Sequence, residues 1–200
     1  MVDMFSFEPP IDDRNDDIVV LRGASWADYE RIMQIRGEGS VPRIAYLDGL
    51  LEIMSPSPEH EALGSVIGCL VEAYCLEKDI EFRTVGSWTI KRKRLKRGVE
   101  PDECWVFGPA RPNAPRPDLA IEVVWTSGGL DKLEIYRKLG VREVWYWQKG
   151  RITPYVLVRE RYEPREASEV LAGIDLAVLA SFLDAPTTSA AIRGYRQTLR

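Results

Sequence analysis

With one histidine, three cysteines and no excess of basic charge, this 200-residue chain is short of the residues on which metal, nucleophile and nucleic-acid chemistry most often draw. His60 is the sole histidine, so a Ser-His-Asp or Cys-His triad would have to use it, and no nucleophile on a recognisable elbow accompanies it. Cys69, Cys75 and Cys104 are odd in number, and the first two fall in an apolar helical pattern. That spacing argues against a disulfide framework or a zinc site and predicts buried small hydrophobes in a reducing cytoplasm. No glycine-rich phosphate loop, HExxH motif or internal repeat is present. Apolar runs are broken well short of the ~20 residues of a membrane span. Met1 to Asp17 is acidic where a secretory signal would be basic and then apolar, so a cytoplasmic chain with no membrane partner is expected. The formal net charge of −4 excludes a surface that is basic overall, and any contact with DNA must come from a local patch.

The chain does carry 45% hydrophobic residues, enough for one well-packed domain. Asp3, Asp12, Asp13, Asp16 and Asp17, with two prolines, suggest a flexible acidic arm over 1–17 ahead of a single domain over 18–200. Ser25 is a plausible N-cap for a helix reaching about Arg36. Asp48-Gly49 joins Arg43–Leu47 to Leu50–Met54 as a β-hairpin. Ser57-Pro58 opens a longer helix, in which Leu63, Val66, Ile67, Leu70, Val71 and Tyr74 recur at helical spacing to about Glu77. In it His60 projects close to the apolar face and Glu61 away from it, while Gly64 and Gly68 permit close approach to a sheet. Glu81–Ile90, Asp102–Phe107 and Leu119–Trp125 read as strands, Leu130–Leu139 as a helix, and Val144–Trp147 and Ile152–Val158 as further strands. This order gives a mixed α/β sheet. Short helices at about Asp175–Leu183 and Thr188–Leu199 look peripheral.

Chemistry could gather between two of these strands. If they pair as a hairpin closed near Gly108 and Asp118, Asp102 falls opposite Val124, with Glu122 its diagonal neighbour on the same face. Two carboxylates so close need a shared cation or proton, and Mg²⁺, or Mn²⁺ in its place, suits the pair. Asp118 lies about 13 Å further along the strand and is better placed to shape a turn. Lys132 sits on the flank of its helix's buried side, where it either snorkels to solvent or reaches the carboxylates. His60 is either a satisfied structural residue or a catalytic one. Lys91, Arg92, Lys93, Arg94, Lys96 and Arg97 form a run that is either a solvated strand tip or a phosphate-binding patch for DNA. Trp145 and Trp147 read as core or as part of a homodimer surface.

Four segments in order resemble one family: Leu47 to Glu61, Glu100-Pro101-Asp102-Glu103, Pro117 to Val123, and Lys132 with Tyr136 to Trp145. Together they look like the Uma-two family of restriction-type endonucleases, which is similar in fold to the PD-(D/E)XK nucleases. The resemblance implies a restriction-endonuclease-like core of helix, three strands, helix and strand, and Mg²⁺-dependent hydrolysis of DNA. By it, Asp102 and Glu122 are the metal-binding acids, and His60 or Glu61 adds a polar group from the first core helix. Val124 stands where that pattern has lysine, and Lys132 looks like its migrated replacement. The alternative is a domain of the same fold that binds nucleic acid or assembles without cutting.

Overall fold

The computed structural model of the chain describes residues 15–85, 88–109, 111, 113–125 and 129–200. The expected acidic arm falls mostly outside them, but its last two acids do not. Asp16 is buried and Asp17 opens strand β1 (Asp17–Arg22), so the domain starts before the boundary expected at residue 18.

Helix α1 (Trp26–Arg36) begins in a capping box: the Ser25 hydroxyl accepts from the Asp28 N–H, and the Asp28 carboxylate accepts from the Ser25 N–H. Strands β2 (Arg43–Leu47) and β3 (Leu50–Ser55) form the expected hairpin, and Asp48 and Gly49 both take positive φ, as a two-residue turn of primed type requires. Helix α2 (Pro58–Glu77) follows, with the Ser57 hydroxyl accepting the His60 N–H at its start. Its Ile67, Leu70, Val71 and Tyr74 are buried, in agreement with the periodicity.

The region read as one strand over Glu81–Ile90 divides between two sheets. Strand β4 (Phe82–Thr84) ends early, and the chain crosses to form a small hairpin of β5 (Ile90–Arg92) and β6 (Arg97–Val99). Residues 86 and 87 lie outside the described residues, but both flanks are tied down: the Val85 N–H bonds to the Cys104 carbonyl, and Trp88 packs into a different cluster from Phe82. β-Propensity marked both halves as extended but carried no sign of the change of sheet.

Strands β7 (Glu103–Phe107) and β8 (Leu119–Val123) pair antiparallel. Helix α3 (Lys132–Leu139) then carries the chain to β9 (Glu143–Gln148), which lies parallel to β8, as such a helical crossover permits. Strands β10 (Arg151–Val158) and β11 (Arg161–Pro164) complete the fold's strands, and β11 had no counterpart in the sequence reading. One sheet has the order β1-β3-β2-β6-β5 and the other β11-β10-β9-β8-β7-β4. The molecule is thus α/β with a mixed sheet, consistent with a restriction-endonuclease-like fold.

Helix α2 covers one face of the six-stranded sheet, burying Trp105, Ile121, Val123 and Trp145. On the opposite face α3 and residues of the five-stranded sheet enclose Ala45, Val99, Cys104, Ala120, Tyr136 and Val144. The C-terminal helices α4 (Leu176–Ala180) and α5 (Thr188–Thr198) are not peripheral, because Leu176, Leu179, Ala191 and Tyr195 belong to the α2 cluster. Their approach is anchored by Glu143, a fully buried carboxylate that accepts the N–H groups of Glu169, Val170 and the Trp145 indole. Trp145 is itself core and is not available to a dimer surface. The three cysteines are free thiols. Among the described residues no helix is long and apolar enough to cross a membrane.

Candidate active site

Asp102 stands just before β7, and its N–H donates to the Ile121 carbonyl at 3.2 Å although Ile121 is already paired with Glu103. Two consecutive residues facing one is the pattern of a β-bulge, which breaks side-chain alternation and re-aims a residue. Asp102 consequently leaves the sheet on the α2 side, where a Cβ at Gly64 would lie 3.8 Å from its own. The register expected from sequence is therefore corrected: Asp102 is not opposite Val124, and it does not share a face with Glu122.

Around Asp102 converge groups distant in sequence. Its Oδ2 accepts the Val123 N–H at 2.6 Å and lies 3.0 Å from His60 Nε2, while Oδ1 pairs with Arg43. His60 Nδ1 lies 2.9 Å from Asp16 Oδ2, and Asp16 Oδ1 accepts the Ser57 N–H, so the start of β1 is fastened to the start of α2. Arg43 also pairs with Glu61 at 2.6 Å. Burial is the main influence lowering the His60 pKa; hydrogen bonding to Asp16 raises it, and the charges of Arg43 and Lys132 lower it again. The geometry pulls the other way, since a carboxylate faces each ring nitrogen. In a neutral ring with its proton on Nδ1, the Nε2 contact needs a proton on Asp102 to be a hydrogen bond.

Glu122, 1% exposed, points to the α3 side. Its Oε2 lies 2.6 Å from Lys132 Nζ, and its Oε1 accepts the Tyr136 hydroxyl. Asp131 caps α3 by accepting the Glu134 N–H, which sets Lys132 and Tyr136 one turn apart on the face toward β8. Burial and the Glu122 charge raise the Tyr136 pKa well above its usual value, so the phenol stays a donor. A cavity of about 170 Å³ opens here, lined among others by Asp16, Glu52, Glu122, Val124, Lys132 and Tyr146. Glu52 is buried and accepts the Leu130 N–H, and any Cβ at Gly129 would collide with its carboxylate.

The two acids remain neighbours although they are aimed apart. The Val123 N–H that Asp102 holds is one peptide bond from Glu122, which places the Asp102 carboxylate within about 5 Å of the Glu122 Cα. Among the described residues no three His, Cys, Asp or Glu side chains converge closely enough to hold a metal ion by themselves.

Of the residues singled out from sequence, His60, Glu61 and Asp102 form one group, and Glu122 and Lys132 another. Lys132 and Val124 line the same cavity, so the ammonium of α3 enters the space beside the residue where the superfamily pattern has lysine. Asp118 is not brought in: it accepts the Phe107 N–H and pairs with Arg111, closing the β7–β8 connection. The basic run forms the tip of the β5–β6 hairpin. Arg97 pairs with Leu47, about 13 Å along β2 from Arg43. Arg97 is itself buried against Asp48, and Lys93 lies 3.6 Å from Glu30; Lys91, Arg92, Arg94 and Lys96 are exposed. Sequence reasoning missed Asp16, Arg43, Glu52 and Tyr136 as members of the site. Tyr136 could have been found from its i,i+4 spacing to Lys132, whereas the other three are assembled only by tertiary contacts.

The chain matches the profile of the Uma2 family, described as "Putative restriction endonuclease", over residues 26–185. No curated protein matches it significantly.

Proposed function

Because that match spans most of its length, the chain belongs to the Uma2 family of restriction endonucleases, and we propose that it hydrolyses DNA phosphodiester bonds with the help of Mg²⁺. The observation that carries this reading is the buried Glu122 carboxylate, with the Lys132 ammonium 2.6 Å away and Asp102 held against the next residue. The donor set fits the ion on the Glu122 side: Glu122 offers a hard carboxylate to a cavity that Asp16 and Glu52 also line, while Asp102 approaches the neighbouring peptide unit from the α2 side, and Mg²⁺ takes one or two carboxylates, with water and substrate phosphate completing its shell. Glu122 would hold it, with Asp102 joining once its carboxylate is released from Arg43, and when bound it would supply an activated water and neutralise phosphate charge.

The protein's own groups then have distinct tasks. Lys132 orients the attacking water or stabilises charge on the phosphorane. Tyr136 and the α3 cap fix Glu122, while His60 and Arg43 fix Asp102. Replacing Glu122 with alanine should abolish both Mg²⁺ binding, followed by calorimetry, and cleavage of single- and double-stranded DNA. Cleavage that survives in Glu122→Ala would refute the assignment.

A second reading, a domain that binds nucleic acid without cutting it, is favoured by one observation: each acid already has a protein cation, Arg43 for Asp102 and Lys132 for Glu122. Binding without cuts in Mg²⁺ and in Mn²⁺ would select it.

A further inference from the structure

The two oxygens of Asp102 are not held alike. Oδ2 is committed, to the Val123 N–H at 2.6 Å and to His60 Nε2 at 3.0 Å. Oδ1 is buried, receives no hydrogen bond among the described residues, and meets only the charge of Arg43. That oxygen is the one the carboxylate can offer to another cation. The guanidinium, for its part, has a second anchor, because Nη2 lies 2.6 Å from Glu61 Oε1 on the first turn of α2. The Asp102 side chain is 1% exposed and that of Glu61 43%, so Arg43 bridges a dry carboxylate and a wet one. It can leave Asp102 without losing its other partner. Its main chain is held independently by the β2–β3 ladder, in which Arg43 stands opposite Met54.

We propose that Arg43 and the divalent cation are alternative counter-ions of Asp102, and that Arg43, once displaced by the ion, turns its guanidinium to a DNA phosphate beside the cleavage centre. The inference rests on the nuclease reading for the ion and the substrate; it adds a phosphate-binding residue and the order in which the site assembles. Two cations on one carboxylate oxygen repel each other, so Arg43 lowers metal affinity at rest. The released guanidinium is a planar fork of donors that matches the geometry of a phosphate. Metal and phosphate then each favour the state that accepts the other, a coupling that tightens both by the same factor. Without ion or DNA, no buried acid is left bare, because Arg43 covers Asp102 as Lys132 covers Glu122. The ion pair that favours a non-cutting domain is then the resting state of a cutting one.

Calorimetric titration of the DNA-free protein with Mg²⁺ gives the first readout. Arg43→Met should bind Mg²⁺ about tenfold more tightly than wild type, the scale on which a neighbouring arginine alters a carboxylate's hold on a competing cation, the proton included. Glu61→Gln should bind it about threefold more weakly, since a displaced Arg43 then has no carboxylate to retain it. An arginine that merely positions Asp102 predicts the opposite sign for Arg43→Met. The second readout is fluorescence anisotropy of a labelled oligonucleotide in EDTA and in Ca²⁺, a hard cation that takes the same oxygen ligands. Ca²⁺ should tighten binding to wild type about tenfold and to Arg43→Met by less than about twofold, with the two proteins alike in EDTA. A folded Arg43→Met with unchanged or weaker Mg²⁺ binding, or an equal effect of Ca²⁺ on both proteins, would overturn the proposal. If Arg43→Met does not fold, unchanged or tighter Mg²⁺ binding by Glu61→Gln would do so. Either result beside Mg²⁺-dependent cleavage by wild type removes the role of Arg43 and leaves the nuclease. No Mg²⁺ binding by any of the three proteins removes both.

Discussion

Asp102 and Glu122 lie on either side of a single peptide unit, yet they are held by opposite means. Glu122 is gripped by Lys132 and Tyr136, two residues one turn apart on the helix that directly follows its strand. Asp102 is gripped by Asp16 acting through His60, by Arg43, and by a backbone N–H from the neighbouring strand. The first arrangement is nearly local, while the second ties together β1, β2, α2 and β8. A site built this way has one wall that can be altered without disturbing the fold and one wall that is itself part of the fold.

The sharpest way to break this comparison is activity. Both Glu122→Ala and Asp102→Ala should lose cleavage altogether in a plasmid-nicking assay, but they should part company in urea unfolding. Removing Asp102 leaves Arg43 with Glu61 alone and His60 with Asp16 alone and orphans the Val123 N–H, a combined loss at a buried carboxylate of about 3 kcal/mol. Removing Glu122 leaves the Tyr136 hydroxyl and the Lys132 ammonium, 14% exposed, without their partner, but both sit on one helix and no second element is untied, so the loss should be smaller, about 1 to 2 kcal/mol. If the two variants unfold at the same urea concentration, the contrast between a local and a distributed grip is wrong.

A smaller effect is expected from Lys132→Met, which keeps the apolar stem and removes the charge. Cleavage should fall about 10²-fold, the scale of losing one donor aimed at developing charge, with stability changed less than in Asp102→Ala. Activity within about threefold of wild type would assign Lys132 to holding Glu122 and nothing more.

The same contrast explains what was readable from the chain alone. The Asp48-Gly49 turn, the Ser57-Pro58 helix start, the apolar face of α2 and the α3 helix all follow from short-range rules, and the fold class followed from their order. That Lys132 reaches Glu122, one of the two alternatives open in the sequence, was within reach because the strand and helix that carry them adjoin in sequence. The register of Asp102 was missed because a bulge spends an extra residue that no alternation pattern records. Asp16, Arg43 and Glu52 were missed because nothing in their own surroundings distinguishes them from solvated charges; they become site residues only when β1 and β3 pair and β2 meets α2. The C-terminal helices look peripheral in sequence for a related reason, since Glu143, the buried anchor for the segment leading to them, reads as an ordinary charged residue at the start of a strand.

The smallest expected effect concerns Glu103, next to Asp102 and facing the same helix. Burial pushes its pKa up to about 7, with Glu72 and Glu61 adding to the rise and Arg43 opposing it. A carboxyl raised in this way is protonated in the folded chain over a range where the unfolded chain has already ionised it. Between the ordinary carboxylate range and about pH 7, the native state therefore binds more protons, and stability falls as pH rises. Glu103→Gln should remove that slope, matching wild type near pH 4 and exceeding it near pH 8 by on the order of 1 kcal/mol, allowing for the side chain's partial contact with solvent. Urea midpoints across that range would read the difference directly. A wild-type profile that runs parallel to that of the glutamine variant would mean that Glu103 is solvated after all. The Asp102 wall of the site would then be less dry, and less rigid, than its hydrogen bonds imply.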